Sequence, residues 1–154
     1  MKRIGLIIIL TLIICGCKNK TEDKKNNYLE FKTKLLETKK YTKASDILCD
    51  ISIDIDKKSE ESIIYKVIVN NPREDMNKIK AIVVHNYYTE DVFPSVGLFD
   101  EGLDLKKNNP QQKMILKGKI ETTEDISNIN LKLKILIEYI NNEGIKKDIY
   151  YKTT

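Results

Sequence analysis

The sequence predicts an all-β fold, an antiparallel sandwich of about seven strands preceded by a signal segment, a polar tether and a short helix. Three observations carry this. From Ile47 onward, apolar residues recur at every second position in one segment after another. Clusters of Asn, Pro, Gly and Asp separate those segments. Most of them have no helical stretch between them, so the alternation of strand and helix that marks a parallel sheet is missing.

The amino terminus comes first. Lys2 and Arg3 precede a run from Ile4 to Cys17 that is 14 residues long and ends at Lys18-Asn19-Lys20. A charged start followed by an apolar run of roughly 7–15 residues describes a secretory signal peptide. A spanning helix takes roughly 20 apolar residues, so this run falls short of one. The residues Ile14-Cys15-Gly16-Cys17 resemble the lipobox of bacterial lipoproteins, in which a small residue precedes the modified cysteine. Cys17 fits that pattern because Gly16 stands before it, whereas a cut at Cys15 would put Ile14 in the small position. The resemblance covers the first 17 residues. It implies removal of residues 1–16, a diacylglyceryl group on the Cys17 thiol, and a protein lipid-anchored on the extracytoplasmic face of the cell membrane. Several acyl chains on one residue anchor stably, since each buried methylene contributes about 0.8 kcal/mol.

Residues 17–40 form the next unit. Lys18 to Asn27 contains nothing that a core can use and reads as a polar tether. Tyr28 to Lys40 then places Tyr28, Phe31 and Leu35 at helical spacing, with Leu29 and Leu36 beside them. A short amphipathic helix follows, lying on the membrane surface or packing on the domain, with packing favoured.

Residues 41–154 carry the strands. Ile47, Cys49, Ile51, Ile53 and Ile55 alternate with polar residues and define one buried face. The opposite face bears Asp50, Asp54 and Asp56. Carboxylates on one strand are spread in steps of roughly 7 Å, unlike the tight oxygen cage of a calcium site, so this is a solvated face. Tyr65, Val67 and Val69 mark a second strand that Asn71-Pro72 ends. Ile79 to Tyr88 is a third, apolar on both faces. Val92 to Phe99, interrupted by Pro94 and Gly97, reads as an edge strand, and Asp100 to Lys113 as turn-rich. Met114, Leu116, Gly118 and Ile120 share one face of the next strand. Ile129 through Tyr139 holds one parity over eleven residues, and Asn141-Asn142-Glu143-Gly144 turns it back into Ile145 to Lys152.

This arrangement of Tyr65 to Pro72, a strand ending near Lys119 and the hairpin around Glu138 to Ile145 resembles the immunoglobulin-like domains of small bacterial surface lipoproteins. The resemblance extends over roughly Ile47 to Lys152 on strand count and turn placement. Neither the buried Trp nor the inter-sheet cysteine pair of antibody domains is present.

Composition narrows the function. Loss of Lys2 and Arg3 with residues 1–16 takes 27 basic residues to 25 against 23 acidic, so the net charge falls from +4 to +2. That mixed balance does not describe a nucleic-acid-binding face. Of the three cysteines, Cys15 leaves with the signal and Cys17 is lipidated, so Cys49 has no disulfide partner. Its parity with the isoleucines makes it a small buried hydrophobe.

His85 is the single histidine. A hydrolase built on it, alone or with Cys49, lacks a motif such as Gly-x-Ser-x-Gly, and zinc would need three or four grouped ligands. No catalytic residue, metal or cofactor is expected. Tyr87, Tyr88 and Phe93 form a candidate recognition patch at one end of the sandwich, or Phe93 and one tyrosine cap the core. Lys106, Lys107 and Lys113 flank a loop that either meets anionic wall polymer or headgroups or is simply solvated, with the solvated loop favoured. The expected function is a non-enzymatic envelope module whose partners are membrane lipid through Cys17 and an envelope protein or wall polymer. The alternative is an accessory or immunity-type lipoprotein that docks on a neighbouring membrane protein through Tyr28 to Lys40.

Overall fold

The computed structural model describes residues 20–59, 61–89 and 91–153. The signal segment 1–16 and Cys17 lie outside the described residues. The elements are α1 (Lys20–Glu37), β1 (Asp50–Ser59), β2 (Ser62–Asn70), β3 (Met76–His85), β4 (Ser95–Val96), β5 (Leu103–Leu105), β6 (Met114–Glu121), β7 (Leu133–Ile140) and β8 (Lys146–Lys152). Short 3-10 turns stand at Ala44–Asp46 and Ile126–Asn128.

Among the described residues, eight strands form two antiparallel sheets, one in the order β1-β2-β6 and the other in the order β4-β3-β7-β8, with β5 also paired to β3. The all-β expectation holds at this level. The sheets face each other across a core of Tyr65, Val67 and Val69 from β2, Met114, Leu116 and Ile120 from β6, and Ala81, Val83, Ile135, Ile137 and Ile149 from the opposing sheet. The alternation in β6 is complete: Met114, Leu116, Gly118 and Ile120 are buried, and every residue between them is exposed. Cys49 is buried in the same core, while Asp50, Asp54 and Asp56 face solvent.

β3 is apolar on both faces because both faces are covered. Ala81 and Val83 point into the inter-sheet core. Ile82 and Val84 point the other way, into a second cluster formed with Tyr28, Phe31 and Leu35 of α1 and Leu136 of β7. The helix therefore packs on the outer face of the larger sheet, and the membrane-surface reading of its apolar stripe is not the one observed. Lys34 of α1 adds an ion pair to Asp148 at 2.7 Å and one to Glu138 at 3.5 Å. Leu29 and Leu36, just off the buried stripe, remain 46 % exposed.

The helix also begins earlier than the apolar spacing indicates. Residues 20–27, expected as irregular tether, are its first two turns, and Thr21 to Asn27 are exposed. Glu22 and Asp23 lie in the first turn, where carboxylates favour the positive end of the helix dipole. Once Tyr28, Phe31 and Leu35 fix the later turns, extending the helix backwards costs no new nucleus.

Two further differences follow from strand pairing. The parity that starts at Ile129 becomes strand only at Leu133, because β3 ends at His85, the residue paired with Leu133. Ile129 and Leu131 still pack against the core. Within the stretch expected to be turn-rich, Leu103–Leu105 forms β5 along β3. The β7–β8 hairpin closes as expected on Asn141, whose side-chain Oδ1 accepts the N–H of Glu143 and of Ile145. Gly144 takes the left-handed conformation there, with φ of 78°.

Candidate functional site

β3 delivers His85 to one end of the sandwich, and the chain then loops over that end before returning as β4. Beneath this loop is a cavity of about 380 Å³. Its floor is Tyr65 of β2 and Gly118 of β6, and His85 forms one wall. Thr89, Asp91, Val92, Phe93 and Pro94 come from the loop, with Lys117 and Lys119 on the β6 side. An adjoining depression shares Thr89 and Asp91 and is bounded by Tyr88 and Glu121.

The polar atoms of the interior are distinctive. Tyr65 is fully buried and His85 is 8 % exposed. Among the described residues, neither the Tyr65 hydroxyl nor His85 Nδ1 has a hydrogen-bond partner. Buried polar groups are almost always paired, and leaving one unpaired costs about 1–3 kcal/mol. Both atoms are closed off from the cavity as well, with no accessible surface of their own. The His85 ring is held edge-on between two aromatic rings, its centroid 5.6 Å from that of Tyr65 and 5.0 Å from that of Phe93.

Both groups are kept neutral. Burial pulls the His85 imidazole below the ordinary histidine value, and a hydrogen bond to the Tyr87 backbone opposes this more weakly. Burial raises the Tyr65 phenol well above its usual range, with a smaller contribution from Tyr28. The charged residues that line the cavity, Asp91, Lys117 and Lys119, are all exposed.

The aromatic residues singled out from the sequence divide between roles. Tyr87 packs against the inter-sheet core and donates from its hydroxyl to Glu124 at 2.8 Å. Phe93 packs against the helix-side cluster, not the main core. Its N–H donates to the Tyr28 hydroxyl at 2.9 Å, and the Lys32 ammonium lies 5.0 Å from its ring centroid. Tyr88 is 84 % exposed and Val92 63 %, so both stand at the surface of this end.

Other candidates are not brought into the site. Cys49 stands just before β1, near the Asn70 end of β2, beside a separate hollow lined by Asp50, Arg73 and Tyr151. Burial pushes its thiol up to about 11, with Asp50 adding to the rise. His85 packs further along β2 on Tyr65, so the two do not form a pair. Lys106 is engaged by Asp75 at 3.5 Å and by Asn77, while Lys107 and Lys113 are exposed. Among the described residues, no group of three or more His, Cys, Asp or Glu could hold a metal ion, and no helix is long and apolar enough to cross a membrane.

Sequence reasoning found His85 and Phe93 but missed Tyr65 and Gly118. The spacing places Tyr65 only on the buried face of its strand. The available signal was a tyrosine in place of an aliphatic residue on that face, since a phenol deep in a core needs a partner.

No protein-family model matches this chain, and no curated protein matches it. Among solved structures, it is similar to Spo0M, a sporulation control protein from Bacillus subtilis, with 12 % identity and a TM-score of 0.29 over 69 % of this chain. The chain spans about half the length of that protein, 48 %.

Proposed function

We propose that this chain is a lipid-anchored extracytoplasmic module with an immunoglobulin-like sandwich, acting by binding and not by catalysis. The cavity end of the sandwich is the binding end. The observation that carries the reading is the hollow at one end of the sandwich, lined by His85, Phe93, Lys117 and Lys119, beside a loop that exposes Tyr88 and Val92. Loops at the end of a sandwich are where such folds place their recognition residues.

The immunoglobulin-like assignment is supported by strand order. With β1, β2, β3, β6, β7 and β8 in the roles of strands A, B, C, E, F and G, one sheet reads A-B-E and the other C-F-G. The short β4 and β5 extend the outer edge of C. Lipid anchoring is supported by Gly16-Cys17 at the end of the apolar run. His85 Nδ1 has no partner among the described residues, so no orienting carboxylate or nucleophile is held at that atom.

Metabolic labelling with a fatty acid tests the anchor: Cys17→Ser loses the label, and an unlabelled Cys17 in a mature membrane-bound chain overturns it. A photocrosslinker at position 88, compared with one at Asn142 in the opposite-end turn, tests the binding end. Capture of an envelope component from 88 but not from 142 supports the reading; equal capture from both positions overturns it.

A second reading, docking on a neighbouring membrane protein, rests on the exposed Leu29 and Leu36 of α1. Under it, Leu29→Ser with Leu36→Ser abolishes the biological effect while the domain keeps its thermal midpoint.

A further inference from the structure

The stripe of α1 formed by Tyr28, Phe31 and Leu35 is spent on the sheet, but a second stripe on the adjoining flank of the helix is left exposed. Leu29 and Leu36 are seven residues apart, about 20° apart around the helix, and both are 46 % exposed. Lys25 stands four residues before Leu29 and Lys32 four before Leu36, which turns each lysine about 40° from its leucine. Glu30 and Glu37 follow the same leucines by one residue, which places them about 100° round in the opposite direction. Leucines and lysines share one flank, and the acids lie on another. We infer that the leucine flank, with the adjoining end of the larger sheet, rests on an anionic lipid surface. The inference rests on the lipid-anchored module proposed above and names what its cavity end meets.

The sheet continues this surface. Beside Leu36 is a hollow of about 310 Å³ lined by Val84 of β3 and by Lys132 and Lys134. Lys134 and Lys152 are directly opposite each other in the β7–β8 register, and like charges so placed destabilise a sheet. The carboxylates farther along the same face, Glu138 and Asp148, are held by Lys34 and Lys146. Among the described residues, no carboxylate pairs with Lys132, Lys134 or Lys152. On the loop side of the flank, Lys32 sits over Phe93, and the neighbouring Val92 is 63 % exposed. Of the acids bordering this end, Glu124 accepts from Tyr87, and Asp91 shares its hollow with Lys117 and Lys119. Glu22 lies in the first turn of α1, at the positive end of the helix.

Chain length selects lipid as the occupant. Lys20, the first residue of α1, follows Cys17 by three residues, at most about 11 Å of chain. With Cys17 acylated, α1 therefore starts within reach of the headgroups. Its 18 residues extend about 27 Å, and exposed leucines two turns apart along that length match a plane better than a pocket. Lysines beside them can lay their stems on the apolar boundary and keep their ammonium groups among phosphates, as interfacial helices do. The unpaired lysines at the end of the sheet gain the same counter-charge.

The test uses the mature, acylated chain with a fluorophore on Leu36→Cys or, at the opposite end, Asn142→Cys; Cys49 is buried. The vesicles are phosphatidylcholine alone, or phosphatidylcholine with an equal part of phosphatidylglycerol, each carrying a headgroup spin-labelled lipid as quencher. The label at 36 is expected to be quenched in the anionic vesicles and the label at 142 not. High salt should relieve the quenching. So should Lys25→Gln, Lys132→Gln and Lys134→Gln combined, each removal lowering the ratio of docked to undocked domain about fivefold. Arginine at the same three positions should preserve it. The inference is overturned if 36 is quenched no more than 142, if neutral vesicles quench it equally, or if the glutamine variant leaves it unchanged. Flotation separates the two readings. A chain that floats with both vesicles while 36 behaves like 142 keeps its anchor and loses the surface. One that floats only with anionic vesicles keeps the surface and loses the anchor, and one that floats with neither loses both. An unquenched 36 together with capture of a membrane protein from position 88 in cells puts a protein in place of the lipid.

Discussion

Tyr65 and Gly118 face each other across the β2–β6 ladder, and the tyrosine ring lies over the glycine. A Cβ at position 118 would fall inside that ring, against its Cζ, Oη and Cε1 atoms. An aromatic residue covering a glycine on the neighbouring strand restores the packing that the missing side chain forfeits. Here it also seals the hydroxyl against the neighbouring strand.

Gly118→Ala is therefore expected to destabilise the protein by about 1–3 kcal/mol through overpacking. Tyr65→Val, by itself a cavity-forming change, should recover part of that loss when combined with it. A double-mutant cycle by denaturant unfolding measures this; strict additivity of the two changes would show that ring and glycine are not coupled.

His85 gives a pH dependence with a defined sign. Its folded-state affinity for a proton is depressed, so below about pH 6.5 the unfolded chain binds a proton that the folded chain refuses. Stability is thus lost as pH falls from the unfolded-state value toward the lower folded-state one. His85→Gln should flatten that part of the stability curve, measured by urea unfolding between neutral pH and pH 5. A curve unchanged in shape assigns the acid sensitivity to other groups.

Leu35 is fully buried between α1 and the outer face of the larger sheet. Leu35→Ala is expected to cost about 2–5 kcal/mol. Lys34→Met, which removes a partly exposed ion pair with Asp148, should cost less than about 1 kcal/mol. Calorimetry on both variants ranks the two contributions. Deleting α1 outright would expose Ile82, Val84 and Leu136, so a truncated domain should aggregate rather than persist as a soluble sandwich.

Cys49 should resist thiol reagents in the native state, since burial holds it as the neutral thiol up to about pH 11. Its modification rate with an aromatic disulfide should rise to that of a free thiol in denaturant. Rapid native-state labelling would show that the core opens near β1 without global unfolding.

Strand faces were legible because burial on one side imposes a period of two. The residues that alternate in 47–55, 65–69 and 114–120 all took their expected side. β3 was legible as apolar on both faces, but only the structure shows what covers the second face. The helix length was not legible, since Lys20 to Asn27 has no apolar residue to reveal a turn. The start of β7 is hidden for a different reason: the parity already runs through Ile129 and Leu131, but a strand exists only where a neighbour lends hydrogen bonds. At the candidate site, His85 stood out as a single titratable residue. Tyr65 did not, because an orphaned hydroxyl is a property of three-dimensional neighbours.

The molecule is assembled as a closed sandwich with a separate outer layer, and the two meet mechanically at Phe93. Tyr28 of α1 accepts the Phe93 N–H, Lys32 covers its ring, and the same ring abuts His85 in the cavity wall. A displacement of α1 on Ile82, Val84 and Leu136 would carry Tyr28, and with it Phe93, out of place. It would also tug on one wall of the cavity, so tension on the amino-terminal end of this chain is coupled to the shape of the cavity at the end of the sandwich.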